Sequence, residues 1–378
     1  MTRSGGPAHG CWGLIPFVLA AWLCVQGGEP LAQAPSGLLP RVTLTPAFAA
    51  TLAGSVDANS PALWDLKDGE RRLFVITSYA GVPSVASGVS LTRLGTAQAV
   101  RIDPHPGHGV WLEAVVSDGV GTWYGYYHNE VPADMCGRLD RSLVRIGAAR
   151  SHDQGLTWEN LGIILEALPD SFACGSPNRY VIGGVGDLSV MLDADQTDLY
   201  LFFSQYPRQA ASQGVAVARL RWADRDEPIG RVSVWHDRVW EPARAREIKT
   251  ADGEVLLEWE YPAGTPLAPP TLAWHDADGR VDAFWGPSVH WNVDLNQYVM
   301  LLNRAKDEKY GQEGIYVSFA QSLDDPAAWS PPQRILSGGA WYPQVIGLEP
   351  GIGTDKTAGR TARFFMTGRS AWMINFSK

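Results

Sequence analysis

The sequence contains no run of basic residues and no zinc-type spacing of Cys and His. It has 31 Lys and Arg against 40 Asp and Glu, which gives a net charge of −9 over 378 residues. Proteins that bind nucleic acid concentrate positive charge on one face, so this composition excludes that class. The absence of zinc-type spacing argues against a zinc site. A neutral or weakly charged ligand is therefore favoured.

Long apolar runs are absent too, with one exception near the N-terminus. Arg3 precedes an apolar stretch at residues 11–25, and small residues follow at Ala32 and Ala34. This order is typical of an export signal, and the stretch is short for a membrane span. We predict a signal peptide over residues 1–34, a secreted or periplasmic protein, and no membrane association after cleavage. A retained N-terminal anchor is the alternative.

Cysteine is scarce, with 4 residues in the whole chain. Cys11 and Cys24 fall within the predicted signal peptide, so only Cys136 and Cys174 remain after cleavage. Two cysteines in an exported chain more often form a disulfide than a metal pair. The sequence predicts a Cys136–Cys174 disulfide, with two buried free thiols as the alternative.

Paired strands recur five times along the chain. The second strand of each pair is β-branched or aromatic and too short for a helix, and four pairs are followed by a third strand, the first of these at residues 88–92. One small sheet cannot bury both faces alone, so repeated sheets stack in a ring. We predict one all-β domain over residues 35–378, a five-bladed β-propeller. Its second strands are placed at residues 73–79, 122–127, 198–204, 296–302 and 362–367.

One local motif supports this repeat. Residues 151–158, Ser-His-Asp-Gln-Gly-Leu-Thr-Trp, match a sialidase-type Asp box, and a degenerate copy ends at Trp329. We expect Asp153 and Gly155 to make a tight turn between outer strands, with Trp158 packed beneath it. The motif therefore has a structural role and says little about catalysis.

Carboxylates, amides and aromatic residues mark the starts of the predicted innermost strands. These starts converge on one end of the central channel of a propeller. Carboxylates perform acid–base chemistry and flat rings stack on sugar rings, so the set predicts a carbohydrate cleft. The catalytic candidates are Asp57, Glu113, Asp187 and His290. The substrate-binding candidates are Asn59, Trp111, Trp285, Trp291, Arg304, Trp341, Tyr342 and Gln344.

Three segments resemble five-bladed propeller glycosidases of the family-43 and arabinanase type. Residues 56–64 are similar to the segment that carries the catalytic base of those enzymes, residues 186–201 to their third-blade motif, and residues 285–298 to the segment that carries their general acid. The resemblance implies that Asp57 activates water. It also implies that Asp187 orients and tunes a neighbouring group.

The third of these segments departs from the family pattern. The family has Glu immediately before Gly-Pro, and this chain has Trp285 there. His290 could supply the acid, because the set also resembles the propeller hydrolases of neoagaro-oligosaccharides, which use a histidine beside two aspartates. Glu113 and Glu313 are the other candidates, and Glu113 interrupts an apolar strand, where a carboxylate needs a partner or a function. The candidate partners of Glu113 are Arg208, Arg304 and Arg369.

Three functions follow from these observations. The favoured one is an exported glycoside hydrolase that uses a carboxylate base and a His or Glu acid, with inversion. A non-catalytic carbohydrate-binding propeller is the first alternative, because Trp285 replaces the family acid. A sialidase-like enzyme is the second, because of the Asp box and the three arginines. We expect a monomer with a carbohydrate substrate and no required cofactor, with Ca²⁺ in the central channel as the candidate ion.

Overall fold

The structure, a computed structural model, describes residues 39–250, 252–276 and 278–378. The signal peptide predicted over residues 1–34 lies outside these residues. Strands alternate with turns, and the five helical segments are single 3₁₀ turns: Asp134–Cys136, Pro169–Ser171, Ala210–Ser212, Trp222–Asp224 and Pro326–Ala328. Within the described ranges, no helix is long and apolar enough to cross a membrane.

The first two blades follow an N-terminal strand, β1 (Arg41–Thr51), that belongs to the last blade. Blade 1 contains β2 (Ala62–Lys67), β3 (Glu70–Tyr79), β4 (Val82–Ser90), β5 (Arg93–Leu94) and β6 (Gln98–Ala99). Blade 2 contains β7 (Arg101–Asp103), β8 (Gly109–Ser117), β9 (Trp123–Ala133), β10 (Arg138–Ser151) and β11 (Thr157–Leu165). In both blades the innermost strand pairs antiparallel with the strand that follows it.

Blades 3 to 5 repeat this order. Blade 3 contains β12 (Val181–Leu192), β13 (Asp198–Gln205), β14 (Gly214–Arg221), β15 (Ser233–His236) and β16 (Val239–Pro242), and a separate hairpin follows it, β17 (Arg244–Lys249) with β18 (Val255–Glu260). Blade 4 contains β19 (Phe284–Asn292), β20 (Gln297–Ala305), β21 (Gln312–Ala320) and β22 (Gln333–Ser337). Blade 5 contains β23 (Gln344–Gly347), β25 (Thr361–Met366) and β26 (Arg369–Ser377), whereas the short β24 (Thr357–Ala358) pairs with β19.

The two ends of the described chain close the ring. Strand β1 adds to the outer edge of blade 5 by pairing antiparallel with β26, with Arg41 opposite Ser377. Full closure leaves no blade without neighbours on both sides. The sequence predicted neither of these two strands, because each pairs with a segment from the far end of the chain.

Apolar clusters fill the five gaps between neighbouring blades. Each gap contains at least one fully buried ring, because a small sheet buries its faces only against its neighbours. In order from the gap between blades 1 and 2, these rings include Trp123, Tyr126, Phe202, Phe364 and Phe365. The predicted fold, an all-β five-bladed β-propeller, is confirmed.

The third strand of blade 1 begins earlier than predicted. It runs over Val82–Ser90 and not over residues 88–92. Ala80 and Gly81 have φ values of 49° and 76° and form a two-residue turn directly after β3. Ala is an uncommon residue at positive φ, so no turn motif in the sequence indicates this hairpin.

Two predicted local features have clear counterparts in the structure. The predicted disulfide is confirmed, since Cys136 and Cys174 are bonded across a separation of 38 residues. Between β10 and β11, the Asp153 carboxylate accepts hydrogen bonds from the Thr157 backbone N–H at 2.8 Å and hydroxyl at 2.6 Å. Trp158 is buried beneath this turn.

Candidate active site

A cavity of about 280 Å³ lies where the innermost strands begin. Carboxylates and aromatic rings dominate its wall. Its lining residues are Asp57, Trp111, Glu113, His128, Glu130, Tyr180, Val181, Asp187, Tyr206, Trp285, Tyr310, Trp341 and Tyr342. Of the residues predicted from the sequence, the structure brings seven together here: Asp57, Trp111, Glu113, Asp187, Trp285, Trp341 and Tyr342.

Backbone irregularities lie at the cavity-lining positions of three innermost strands. The pairing register shifts around Glu113 in β8, around Asp187 in β12, and between Trp285 and Ser288 in β19. Asp187 has a φ of 44°, and Gly286 has a φ of 57°. Bulges redirect side chains, and unusual backbone conformations concentrate at functional sites. The bulges account for polar side chains in otherwise apolar strands.

Asp57 precedes β2 and is held by two donors. The Trp111 indole N–H donates to Oδ1 at 2.7 Å, and the Ala80 backbone N–H donates to Oδ2 at 3.0 Å. Partial burial raises the pKa of Asp57 above its ordinary value, and these hydrogen bonds limit the rise. The carboxylate is thus fixed in orientation at the cavity wall.

Glu113 is completely buried in the wall of the cavity. Its Oε2 accepts a hydrogen bond from the Leu188 backbone N–H at 2.9 Å, whereas Oε1 has no hydrogen-bond partner. Burial raises the pKa of Glu113 to about 7, and the charge of Asp187 adds to the effect of burial, whereas His128 opposes it. A carboxyl group with this pKa retains its proton up to neutral pH.

Asp187 has the opposite protonation preference. Its Oδ2 accepts a hydrogen bond from the Tyr206 hydroxyl at 2.5 Å, and its Oδ1 accepts one from the Tyr342 hydroxyl at 3.0 Å. Burial alone would raise the pKa of Asp187, but His128 and the two hydroxyls lower it below its ordinary value. Asp187 is therefore the ionised partner of Glu113.

His128 lies between these two carboxylates. Its Nδ1 is 3.4 Å from Glu113 Oε1 and 3.7 Å from Asp187 Oδ1, which favours a charged ring. The Asp187 backbone N–H also lies 3.1 Å from the same Nδ1. Burial lowers the pKa of His128, but the Asp187 and Glu113 carboxyl groups raise it well above its ordinary value. We therefore assign a charged ring to His128, paired with ionised Asp187.

The same three side chains are close enough to hold a metal ion, because one ligand atom from each lies within 4.8 Å of the others. Their protonation does not fit that role. A charged His128 ring has no lone pair on either nitrogen, and the raised pKa of Glu113 keeps a proton on that carboxyl group below neutral pH. Ca²⁺ also prefers sites made of oxygen ligands alone. We interpret the cluster as a proton-transfer group and not as a metal centre.

Aromatic rings form the rest of the wall. Trp285 contacts Tyr310, Trp341 and Tyr342 edge to face, with ring centroids 4.9, 5.7 and 5.5 Å apart. The Trp341 indole N–H donates to the Tyr310 carbonyl at 2.9 Å. Edge-to-face packing fixes these rings, so the wall is rigid and offers flat apolar faces to a ligand.

Four predicted site residues lie elsewhere. His290 is fully buried in β19, close to Phe376 and away from the cavity, and neither ring nitrogen has a hydrogen-bond partner. Asn59 donates to the carbonyls of Leu188 and Pro287, so it links blades 1, 3 and 4. The remaining two are Gln344, which bonds to Ser60, and Trp291, which packs against Tyr298.

The predicted arginines and Glu313 are also outside the cavity. No arginine is among the described residues that line it. Arg304 faces Asp282 at 3.5 Å, and Arg208 donates to the Phe172 carbonyl. Glu313 pairs with Arg334 at 2.6 Å. The partner of Glu113 is thus His128, which the sequence did not indicate.

Sequence reasoning missed several lining residues. His128 and Glu130 lie beyond the apolar core of β9, Tyr206 directly follows β13, and Tyr310 follows β20. In an antiparallel pair, the end of the second strand lies beside the start of the first, and Trp111 is indeed paired with His128. Reading the ends of the second strands would have found these residues.

No protein-family model matches the chain, and the search of curated proteins found no match. Among solved structures, the chain is similar to an arabinanase of Bacillus subtilis, at 11% identity and a TM-score of 0.43, over 86% of this chain and 96% of that one. It is also similar to an endo-arabinase of Bacteroides thetaiotaomicron, at 10% identity and a TM-score of 0.48, over 87% of this chain and 96% of that one. A third similar structure is a GH43 enzyme of Xanthomonas citri, at 15% identity and a TM-score of 0.45, over 87% of this chain and 91% of that one. Similarities of this size assign neither a reaction nor a substrate to this chain.

Proposed function

We propose that this protein is an exported glycoside hydrolase. One observation carries the proposal: Asp57, Glu113 and Asp187 line a single aromatic cavity, whose surroundings raise the pKa of Glu113 and lower that of Asp187. Hydrolysis of a glycosidic bond needs a protonated carboxyl group on one side and an ionised carboxylate on the other. Pairs of carboxyl groups whose surroundings separate their pKa values are the usual sign of such a division of roles.

Glu113 is the general acid in this proposal. Its pKa of about 7 leaves the group half protonated at neutral pH and mostly protonated below it. Its Oε1 has no partner within the protein, so a proton there is free to pass to the leaving oxygen of a substrate. Glu113 thus takes the role for which the sequence left His290, Glu113 and Glu313 as candidates.

Asp57 is the general base. Trp111 and Ala80 fix its carboxylate by donating to separate oxygens, and a lone pair on each oxygen is left to accept a proton from water. Asp187 remains ionised, and its charge raises the pKa of Glu113. We propose that Asp57 activates water for direct attack on the anomeric carbon, which inverts its configuration.

The Cys136–Cys174 disulfide supports an oxidising compartment. This agrees with export, which the N-terminal sequence pattern predicts.

The test is a substrate panel of arabinans, xylans, agar and carrageenan oligosaccharides and sialylated glycans. Release of reducing sugar would be measured for the mature protein, and proton NMR would record the first anomer formed. We expect turnover of a glycan without sialic acid, with inversion. Binding without turnover on every glycan would favour a carbohydrate-binding propeller, and release of sialic acid would favour a sialidase.

A further inference from the structure

The proposed mechanism uses three of the four carboxylates in the cavity wall and leaves Glu130 without a role. Asp57, Glu113, Glu130 and Asp187 all line the cavity, and no lysine or arginine of the described chain does so. Glu113 keeps its proton and the His128 ring carries one positive charge, so Asp57, Glu130 and Asp187 leave this half-enclosed site with a net negative charge that favours a cationic ligand. The cavity is thus electrostatically unsuited to uronic, sialic or sulfated sugars.

Glu130 is anchored on one side only. The Ser142 hydroxyl donates to its Oε2 at 2.7 Å. Its Oε1 is 3.7 Å from His128 Nε2, which is too far for a hydrogen bond. No lysine or arginine of the described residues forms an ion pair with it, and a third of the side chain is exposed, 33%. Oε1 is available to a ligand.

Two buried polar atoms point to a missing partner at this cavity. Glu113 Oε1 and His128 Nε2 belong to side chains at least nine-tenths buried, and neither atom has a hydrogen-bond partner. Buried polar atoms without partners are costly, so they are rare unless a ligand or water satisfies them. These orphaned atoms are independent of the acidic character of the cluster.

Aromatic rings share the cavity wall with Glu130. Tyr180 and Tyr310 line the same cavity as Glu130. Tyr180 is partly exposed and contacts Tyr310 edge to face, at 5.5 Å between ring centroids. A carboxylate and tyrosine rings in one cavity are a favourable environment for an ammonium group.

We propose that the sugar bound in this cavity carries a protonated primary amine, which Glu130 Oε1 binds against the rings of Tyr180 and Tyr310. The inference rests on the proposed glycosidase function and specifies its substrate class as an amino sugar. A primary ammonium has N–H groups to donate to Glu130, whereas an N-acetyl group is neutral and a trimethylammonium group has no N–H.

The test is isothermal titration of the mature protein with glucosamine, galactosamine and mannosamine at pH 7. The parent neutral hexoses, their N-acetyl forms and choline serve as comparison ligands. We expect at least one amine to bind about ten-fold more tightly than its neutral parent, in line with a charged hydrogen bond and a cation–π contact. Glu130→Gln should reduce that preference to about two-fold or less. Glu159→Gln, in an exposed pair with Arg150, should leave it unchanged.

Equal binding of amine and neutral parent, tighter binding of choline or the N-acetyl form, or no binding of any amine would each overturn the proposal. An amine preference that survives Glu130→Gln would overturn the role of Glu130. Failure of this inference can be distinguished from failure of the glycosidase proposal. Turnover of neutral glycans without an amine preference contradicts only this inference, whereas amine binding without turnover of any amino-sugar oligomer contradicts only the hydrolase.

Discussion

Glu113 Oε2 accepts a hydrogen bond from the Leu188 backbone N–H at 2.9 Å, so the proposed acid of blade 2 is held by the strand of blade 3 that carries Asp187. Burial raises the pKa of Glu113, and the charge of Asp187, the residue next to the donor, adds to this rise. Position and protonation of the acid therefore depend on the same bulged segment of β12. The propeller makes this possible because the innermost strands of different blades meet around the channel.

Replacing Glu113 by Gln removes the transferable proton and retains the side-chain shape. On substrates with poor leaving groups we expect kcat to fall by about 10² to 10⁴, the usual contribution of general acid catalysis. Aryl glycosides with good leaving groups should lose much less, since they need little protonation. The matched control is Glu313→Gln, because Glu313 pairs with Arg334 outside the cavity. A uniform loss on both kinds of substrate would contradict an acid role.

The pH dependence of activity follows from the ionisation of Glu113. The pKa of Glu113 is raised to about 7, so activity should decline as the pH rises through about 7 and the acid loses its proton. On the acidic side, activity should decline as Asp57 gains a proton, at a pH above the ordinary value of 3.8. Profiles of kcat/KM would be recorded for the wild type and Glu113→Gln. If the variant keeps the alkaline decline, another group is responsible for it.

His290 is expected to affect stability in acid and not catalysis. Burial, reinforced by the charge of Lys356, lowers its pKa from 6.5 to about 3. The unfolded chain therefore takes up a proton first, and this site loses stability as the pH falls from 6.5 towards 3, by at most about 1.4 kcal/mol per pH unit. In His290→Leu, denaturant unfolding should show a flatter dependence on pH over this range, with kcat unchanged. An unchanged slope, or loss of catalysis in a folded variant, would contradict this account.

Trp341 is expected to bind substrate. It is half-buried at the cavity wall and fixed by its bond to the Tyr310 carbonyl. Trp341→Ala should raise KM by about ten-fold with a smaller change in kcat, because a stacking face contributes to ground and transition states alike. Trp291→Ala is the control, since Trp291 packs on Tyr298 away from the cavity. Equal changes of KM in the two variants would remove Trp341 from the binding site.

The sequence predicted the ring of five blades because the pairing within each blade is local. Strands such as β12 and β13 are apolar, adjacent and joined by a short turn. The pattern of apolar residues and the residue types of the turn therefore identify them. The closing pair β1 and β26 gave no such signal, because its partners lie at opposite ends of the chain. Long-range pairing cannot be read from local pattern.

The candidate site was predicted in part. Asp57, Glu113 and Asp187 were predicted because they lie near the starts of innermost strands. The fold places a cleft there, and carboxyl groups suit the chemistry of that cleft. His290 had the same kind of position, but it lies beyond the bulge at Gly286 in β19, and its side chain is buried among apolar neighbours. Tertiary packing decides which face of a strand meets the channel. A bulge changes which face that is, and the periodicity of the sequence does not indicate where a bulge lies.

The most direct test compares reducing-sugar release by the mature wild-type protein, Asp57→Asn and Glu313→Gln on the glycan that the wild type degrades best. Circular dichroism would establish that all three are folded. The account predicts turnover by the wild type and by Glu313→Gln, and a loss of at least about 10² in Asp57→Asn, because only that variant lacks the base. Turnover retained in Asp57→Asn would contradict the assignment of the base. Absence of turnover in the wild type on every glycan of the panel and on amino-sugar oligomers, with binding retained, would contradict the hydrolase itself.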